Sequence, residues 1–185
     1  MAAKRFARTV VKIMGWHLIG SFPPDAKKLL VIAAPHTSIM DFIMGWLGLH
    51  SFGISAKFVI KKEFFFFPVG PIIRALGAIP VKRGDRHNDM VAQMVAEYKK
   101  RDSFFLVITP EGTRKKVKRW KKGFYQIATE AKVPVVVSTV DYGKKQLGPL
   151  WIFEPTGDFD ADMLKVKACY VGVKAKHPEG FTTES

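Results

Sequence analysis

Short apolar runs of strand length alternate with segments of helical periodicity along most of the chain, and this alternation constrains the fold more than any other feature. The clearest run is Phe104–Ile108, which is purely apolar and lies between Asp102-Ser103 and Pro110. Continuous apolar runs of this length are typical of strands that helices cover on both faces, as in parallel sheets. The pattern therefore predicts an α/β domain with a mixed, mostly parallel central sheet flanked by helices.

The same criteria place the other elements. Further strands are predicted at residues 29–34, 56–60, 78–81, 134–140 and 150–153, and helices at about 38–50, 69–76, 89–100, 123–131 and 160–173. The sequence of 185 residues shows neither an internal repeat nor a low-complexity linker. Residues 1–185 are therefore predicted to form a single domain.

The two ends of the chain carry separate predictions. Residues 1–24 are predicted to contain an amphipathic helix, because Phe6 and Val10 share one helical face and basic residues occupy the other. Pro23-Pro24 ends this segment. Residues 177–185 are predicted to be a loosely ordered tail.

Basic residues far outnumber acidic ones, with 30 Lys and Arg against 16 Asp and Glu and a formal net charge of +14. Such a charge attracts nucleic acid, anionic lipid headgroups and phosphorylated substrates alike, so it does not choose among them. The single Cys169 has no partner for a disulfide or a cysteine metal cluster, which favours a reducing, cytosolic setting. We find no signal peptide and no apolar run of about 18 residues, so any membrane contact is expected to be peripheral.

His36 and Asp41 form a candidate catalytic pair. A predicted strand ends just before His36, and Asp41 follows five positions later in the first turn of the next predicted helix. If His36 lies in the turn before that helix, the carboxylate can orient one ring nitrogen while the other takes a proton from a hydroxyl. The pair resembles a triad without its serine, so the nucleophile would come from a substrate. The spacing equally suits a helix cap or an ion pair, and no metal-ligand set accompanies it.

Two other segments suit anion binding. Phe104–Ile108 leads into Thr109–Arg114, where Pro110, Gly112 and a guanidinium form either a phosphate cradle or an ordinary polar turn. The predicted strand at residues 78–81 ends in the adjacent cations Lys82-Arg83, which bind an anion or are simply solvated.

Together, in this order and at these separations, the segments resemble the glycerolipid acyltransferase family, which includes the 1-acylglycerol-3-phosphate and lysophospholipid acyltransferases. The likeness spans about residues 33–140. The residues that match the four blocks of the family are His36, Thr37, Ser38 and Asp41; Gly77, Ile79, Lys82 and Arg83; Pro110, Glu111, Gly112, Thr113 and Arg114; and Val133-Pro134-Val135-Val136.

The resemblance implies a fold like that of glycerol-phosphate acyltransferases and a fatty acyl donor that is either acyl-CoA or acyl-carrier protein, with no further cofactor and no metal. It implies direct attack by an acceptor hydroxyl without an acyl-enzyme, with His36 as general base and Asp41 as its orienter. The residues implied in substrate binding are Lys82, Arg83, Glu111, Gly112, Thr113 and Arg114. Pro80-Val81-Lys82 stands where the family often has an aromatic–acidic pair, so the acceptor headgroup stays open.

Basic and aromatic residues suggest a surface contact. Seven of the nine residues at 114–122 are basic. Each Lys or Arg near an anionic leaflet contributes about 1 kcal/mol of attraction. The residues predicted to contact such a membrane, or the donor, are Lys115, Lys116, Arg119 and Trp120. Phe64–Phe67 suits either a core, an acyl groove or a lipid contact.

From these features we expect the protein to be cytoplasmic and to lie peripherally on the inner face of a membrane. The alternative function is a basic domain that binds nucleic acid or anionic lipid without catalysis. No nucleic-acid-binding motif accompanies the charge, so no specific nucleic acid partner is expected.

Overall fold

A computed structural model describes residues 2–81 and 88–183, whose strands form one mixed sheet. The strands are β1 (His17–Leu18), β2 (Lys28–Ala34), β3 (Lys57–Lys61), β4 (Ala78–Val81), β5 (Phe104–Ile108), β6 (Val135–Asp141) and β7 (Gln146–Phe153). Their order in the sheet is β1-β7-β6-β2-β5-β3-β4. The neighbours from β6 to β4 are parallel, β7 is antiparallel to β6, and β1 is parallel to β7. The predicted mixed, mostly parallel sheet is confirmed.

Helices cover both faces of this sheet. They are α1 (Ala2–Ile13), α2 (Ile39–Phe52), α3 (Val69–Ala75), α4 (Asn88–Lys100), α5 (Gly123–Ala131) and α6 (Phe159–Ala168). Short 3-10 turns occur at Lys62–Phe64 and Pro178–Gly180. Within the described ranges, no helix has both the length and the apolar character needed to cross a bilayer.

The core explains why the central strands are apolar at every position. Leu30 of β2 packs in one buried cluster with Tyr98 of α4 and Ile127 of α5. The next residue, Val31, packs on the opposite face in a cluster with Leu49 of α2. Successive side chains of a strand point to opposite faces, so a strand covered on both sides needs no polar position. Each such aliphatic side chain contributes about 1.5–3 kcal/mol when fully buried.

The N-terminal helix is shorter than the prediction over residues 1–24. It is present, but it ends at Ile13, and Gly15 then adopts a left-handed φ of 73°. His17–Leu18 forms β1 beside Gln146–Leu147. The helix packs Ala7 and Val11 into a cluster with residues of α2.

The second half of the chain contains two differences in element bounds. Strand β7 begins at Gln146 rather than at residue 150, because its first residues pair with the end of β6 and with β1. The start of this strand was not predicted, because Gly148 and Pro149 are residues that rarely occur inside strands. Helix α6 begins after the N-cap Asp158, whose side chain accepts hydrogen bonds from the N–H groups of Asp160 and Ala161, and it ends at Ala168.

Part of the segment predicted to be loosely ordered contacts the domain. The N–H of His177 donates to Oγ1 of Thr37 at 3.2 Å. The Phe181 ring lies 6.3 Å from Trp120 and 6.2 Å from Tyr170, measured between centroids. These contacts bring residues 177–181 close to the turn that carries His36.

Candidate active site

The candidate site lies at the carboxyl ends of three adjacent parallel strands. Strand β2 pairs with β5 on one side and with β6 on the other. The turn with His36 follows β2, the turn with Glu111 follows β5, and Tyr142 follows β6. The carboxyl edge of an open α/β sheet is where such folds place their ligands.

Asp41 is fixed by three donors. Ser38 is the N-cap of α2, and Asp41 closes a capping box in which its Oδ2 accepts from the N–H groups of Thr37 and Ser38. Its Oδ1 accepts from the Tyr142 hydroxyl at 2.8 Å. The side chain is buried, so these donors replace the water that its oxygens would otherwise contact. Three donors hold the carboxylate in one orientation.

His36 faces this carboxylate from the preceding turn. Its Nδ1 lies 3.9 Å from Asp41 Oδ2, which is beyond hydrogen-bonding distance, and its side chain is 22% exposed. Burial lowers the pKa of His36, the charge of Asp41 raises it, and Arg114 lowers it. The net lowering favours the neutral imidazole, the form that accepts a proton. The hypothesis that Asp41 caps a helix and the hypothesis that it orients His36 are therefore compatible. The carboxylate caps α2 and also faces the imidazole.

Glu111 contacts the backbone of the histidine turn. Its Oε1 accepts from the His36 N–H at 2.9 Å, and only 4% of the residue is exposed. Its Oε2 is buried without a hydrogen-bond partner in the described part of the chain. Burial raises the pKa of Glu111 to about 7. This contact makes Glu111 a support of the His36 turn. The sequence hypothesis that Glu111 also binds substrate stays a prediction.

The rest of the 109–114 turn borders the same space. Gly112 lines the cavity described below and has a left-handed φ of 66°, and a Cβ there would lie 2.8 Å from the Lys121 side chain. Arg114 also lines this cavity, whereas Thr113 is exposed and accepts from the Lys115 N–H. Lys82 and Arg83 lie outside the described residues.

Trp120 corrects the predicted membrane contact. The exposed members of that set are Lys115, Lys116 and Arg119. Trp120 is only 6% exposed and packs edge-on against Tyr170 at 5.5 Å between ring centroids. The prediction that Trp120 contacts a membrane or the donor is therefore wrong, because tertiary packing has buried the ring.

A cavity of about 600 Å³ extends from His36 between α2 and the sheet. Most of its wall is apolar, and the aliphatic and aromatic side chains that line it include Val31, Ala33, Phe42, Leu49, Phe58 and Val107. Its polar lining residues include His36, Arg114 and Lys121. Gly45 of α2 also lines the cavity, and a Cβ at Gly45 would meet no atom within 4 Å. The site thus joins an imidazole, two cations and an apolar chamber.

Sequence reasoning missed several members of the site. Tyr142 belongs to no recognised motif, although its place at the end of a strand beside β2 is a signal that identifies it once the strand order is known. Gly45 resembles any helical glycine in the sequence. Thr139 lines the cavity, and its buried hydroxyl has no partner in the described part of the chain.

Comparisons with known proteins agree with this architecture. Residues 17–140, more than half of the chain, match the family model described as Acyltransferase. The fold is similar to the crystal structure of the 1-acyl-sn-glycerophosphate (LPA) acyltransferase, PlsC, from Thermotoga maritima, with a TM-score of 0.61. That likeness covers 94% of this chain and 76% of that chain at 22% sequence identity, which establishes the fold alone. A comparison with curated proteins gave no match.

Proposed function

Because the chain belongs to the acyltransferase family, we propose that it moves a fatty acyl group from a thioester to a hydroxyl of a lysophosphatidic-acid-like lipid precursor. The family resemblance of the motif blocks is confirmed by the match over residues 17–140. The donor is acyl-CoA or acyl-carrier protein, which acts as a co-substrate, and the reaction belongs to membrane lipid synthesis.

One observation carries this proposal, namely that His36 lies where an apolar chamber meets cationic side chains. The chamber volume of about 600 Å³ is in the range of small-molecule sites, and its apolar wall suits a hydrocarbon chain. Arg114 and Lys121 line the same cavity and suit a phosphate. An acyl lipid with an anionic headgroup has both kinds of surface, and its reacting atoms lie between them.

The proposed reaction uses His36 as a general base. Its Nε2 takes the proton of the acceptor hydroxyl while the hydroxyl oxygen attacks the thioester carbonyl carbon. The C–S bond then breaks, and the leaving thiolate takes the proton from the imidazolium, so no acyl-enzyme forms. Asp41 stabilises the imidazolium from the Nδ1 side, where it lies 3.9 Å away.

The start of α2 offers few groups for the oxyanion of this reaction. A backbone N–H near a helix start is a common donor to such a charge, but the N–H groups of Thr37 and Ser38 both donate to Asp41. The Met40 N–H donates to the Ser38 hydroxyl. These three N–H groups already donate within the cap, so the proposal assigns the oxyanion to another donor.

Release of free thiol tests the proposal. The purified protein is mixed with a long-chain acyl-CoA, with or without lysophosphatidic acid, and the thiol is detected colorimetrically. We expect thiol release that depends on the acceptor, and His36→Ala should lower the rate on the order of 10² to 10⁴, the usual contribution of a general base.

A matched control is His50→Ala, which removes an imidazole from the last turn of the same helix. This variant should release thiol at nearly the rate of the unsubstituted protein. Thermal unfolding of both variants confirms that they fold. Near-normal turnover by a folded His36→Ala protein would exclude the mechanism.

We further propose that this chemistry takes place at the cytoplasmic face of a membrane. A lipid acceptor and product reside in the bilayer, whereas the thioester donor arrives from the cytosol. The exposed cations Lys115, Lys116 and Arg119 suit either an anionic leaflet or the phosphates of the donor, including an acidic carrier protein.

A further inference from the structure

A group of apolar side chains is exposed around α3. We call it the α3 patch, and it consists of Phe64, Phe66, Phe67, Ile72 and Leu76. The exposed fractions are 54%, 58% and 86% for the three Phe residues and 60% for Ile72. Single exposed apolar residues are ordinary, but a cluster with several aromatic members indicates an interaction surface.

The α3 patch borders the cavity that contains His36. Leu76 is 36% exposed and also lines that cavity, as does Ile73 on the preceding turn. Ile72 and Leu76 are four residues apart, which places them on one face of the helix end. Ile39 at the start of α2 is 59% exposed and lines the cavity as well. An apolar chain can therefore pass from this surface into the chamber.

Another apolar surface, on α1, lacks this connection. Phe6 is 66% exposed and Ile13 is 79% exposed, so both are available for contact. Neither side chain lines the cavity. Helix α1 is thus the principal rival for a lipid contact, but it provides no route to the site.

Charged residues around the α3 patch complement an anionic surface. Lys62 and Arg74 are exposed, and the Arg74 guanidinium lies 4.9 Å from the centroid of the Phe65 ring. Lys57 is half-buried on β3. Glu63 is the acidic residue of this segment, so cations predominate among its described side chains. Exposed aromatic side chains beside Lys and Arg suit the boundary between lipid headgroups and acyl chains.

We propose that the α3 patch is the face that enters the interface of an anionic lipid bilayer, so that a lipid substrate moves from the bilayer into the cavity. The inference rests on the proposed lipid acyltransferase function. It places the apolar membrane contact at Phe64–Phe67 and α3, since Trp120 is buried. The exposed cations of the 114–122 stretch then serve headgroups or donor phosphates.

The experiment is co-sedimentation of the protein with vesicles of mixed phosphatidylcholine and phosphatidylglycerol, measured without substrates. Phe66→Ser combined with Phe67→Ser removes the two most exposed rings of the patch. If both rings insert into the bilayer, their loss should lower the partition coefficient at least about tenfold. Leu164→Ser combined with Val171→Ser is the matched control, because these side chains are 72% and 73% exposed but belong to neither surface. Thermal unfolding checks that each variant is folded.

Selective loss of binding in the Phe66 and Phe67 variant, with the control unchanged, supports the proposal. Three results overturn it: no binding by the unsubstituted protein, equal binding by the Phe66 and Phe67 variant, or loss only when Phe6→Ser and Ile13→Ser are combined. Thiol release with a short-chain, water-soluble acyl-CoA and acceptor is measured separately. Failure of that reaction refutes the proposed function, whereas vesicle binding alone decides the membrane face.

Discussion

The two oxygens of the Asp41 carboxylate connect the helix cap, the imidazole and Tyr142. Its Oδ2 accepts from two N–H groups at the start of α2 and also lies nearest to His36 Nδ1. Its Oδ1 accepts from Tyr142, whose ring packs edge-on against Trp16 at 5.0 Å between centroids. Tyr142 therefore positions the carboxylate, and it withdraws part of the negative charge that His36 senses.

Tyr142→Phe tests this role. Without the hydroxyl, the Asp41 carboxylate loses one donor, so it should hold a proton on His36 more strongly. The acid limb of the kcat/KM profile is then expected to move to higher pH, and kcat to fall by roughly tenfold as the carboxylate loses orientation. The measurement is thiol release over a range of pH.

Tyr98→Phe is the control for this experiment. The Tyr98 hydroxyl donates to the Leu29 carbonyl at 2.8 Å in the core, away from the site. Its loss should lower the free energy of unfolding by about 1 kcal/mol or more and leave the acid limb in place. If both variants give the same pH profile as the unsubstituted protein, Tyr142 has only a structural role.

Helix α2 joins the chemical end of the site to the apolar chamber. Asp41, Gly45 and Leu49 recur every four residues and so lie along one face, and all three line the cavity. A glycine inside a helix costs about 1 kcal/mol relative to alanine. No neighbouring atom lies within 4 Å of a Cβ at Gly45, so sterics do not require this glycine. Because Gly45 has no side chain, it leaves free volume in the chamber.

Gly45→Leu is therefore expected to change acyl-chain preference without loss of stability. The new side chain projects into the space that a long acyl chain would occupy, so activity should decrease with long-chain acyl-CoA and persist with shorter chains. The melting temperature should rise or stay the same, because helix propensity improves. Thiol release across a series of acyl-CoA lengths measures the preference.

Gly45→Ala separates the two effects of that substitution. It gives the same gain in helix propensity but adds only one methyl group to the chamber. Chain preference should then resemble that of the unsubstituted protein. A uniform loss of activity at every chain length in Gly45→Leu would show that the chamber does not select the acyl group.

The elements also show how far the sequence determines the structure. Strand β5 was predicted to the residue, because a strand buried on both faces is apolar at every position and turn residues bound it. Strand β1 was not predicted, since its two residues carry no periodicity and its pairing depends on β7. The His36 turn follows from the end of β2, so this part of the site was predictable from local pattern.

Tertiary contacts account for what the sequence concealed at the site. Trp120 has two basic residues directly before it and two directly after it, so its surroundings in the sequence predict an exposed ring. Its burial depends on Tyr170 and Phe181, which are at least 50 residues away. Tyr142 similarly reaches Asp41 across a separation of 101 residues. A local sequence pattern does not report contacts between distant residues. These contacts form only when the strand order brings the residues together.

The stability of the whole molecule should depend on pH through Glu111. Burial raises the pKa of this carboxyl from its ordinary 4.5 to about 7. Between these values the folded protein keeps a proton that the unfolded chain has lost, so the free energy of unfolding should fall as pH rises through this window. Over the whole window, this shift in pKa changes the free energy of unfolding by roughly 3 kcal/mol. His36 acts in the opposite direction, because its folded-state pKa is lowered.

Glu111→Gln isolates this contribution. The amide oxygen can still accept from the His36 N–H, but the side chain no longer titrates. Urea unfolding gives the free energy of unfolding of both proteins at each pH. From about pH 5 to about pH 8, we expect the unsubstituted protein to lose up to roughly 3 kcal/mol of stability relative to the variant. Because the His36 contribution is common to both proteins, the difference largely removes it. A constant difference across this range would mean that Glu111 is already ionised in the folded protein, with water or a cation beside its buried Oε2.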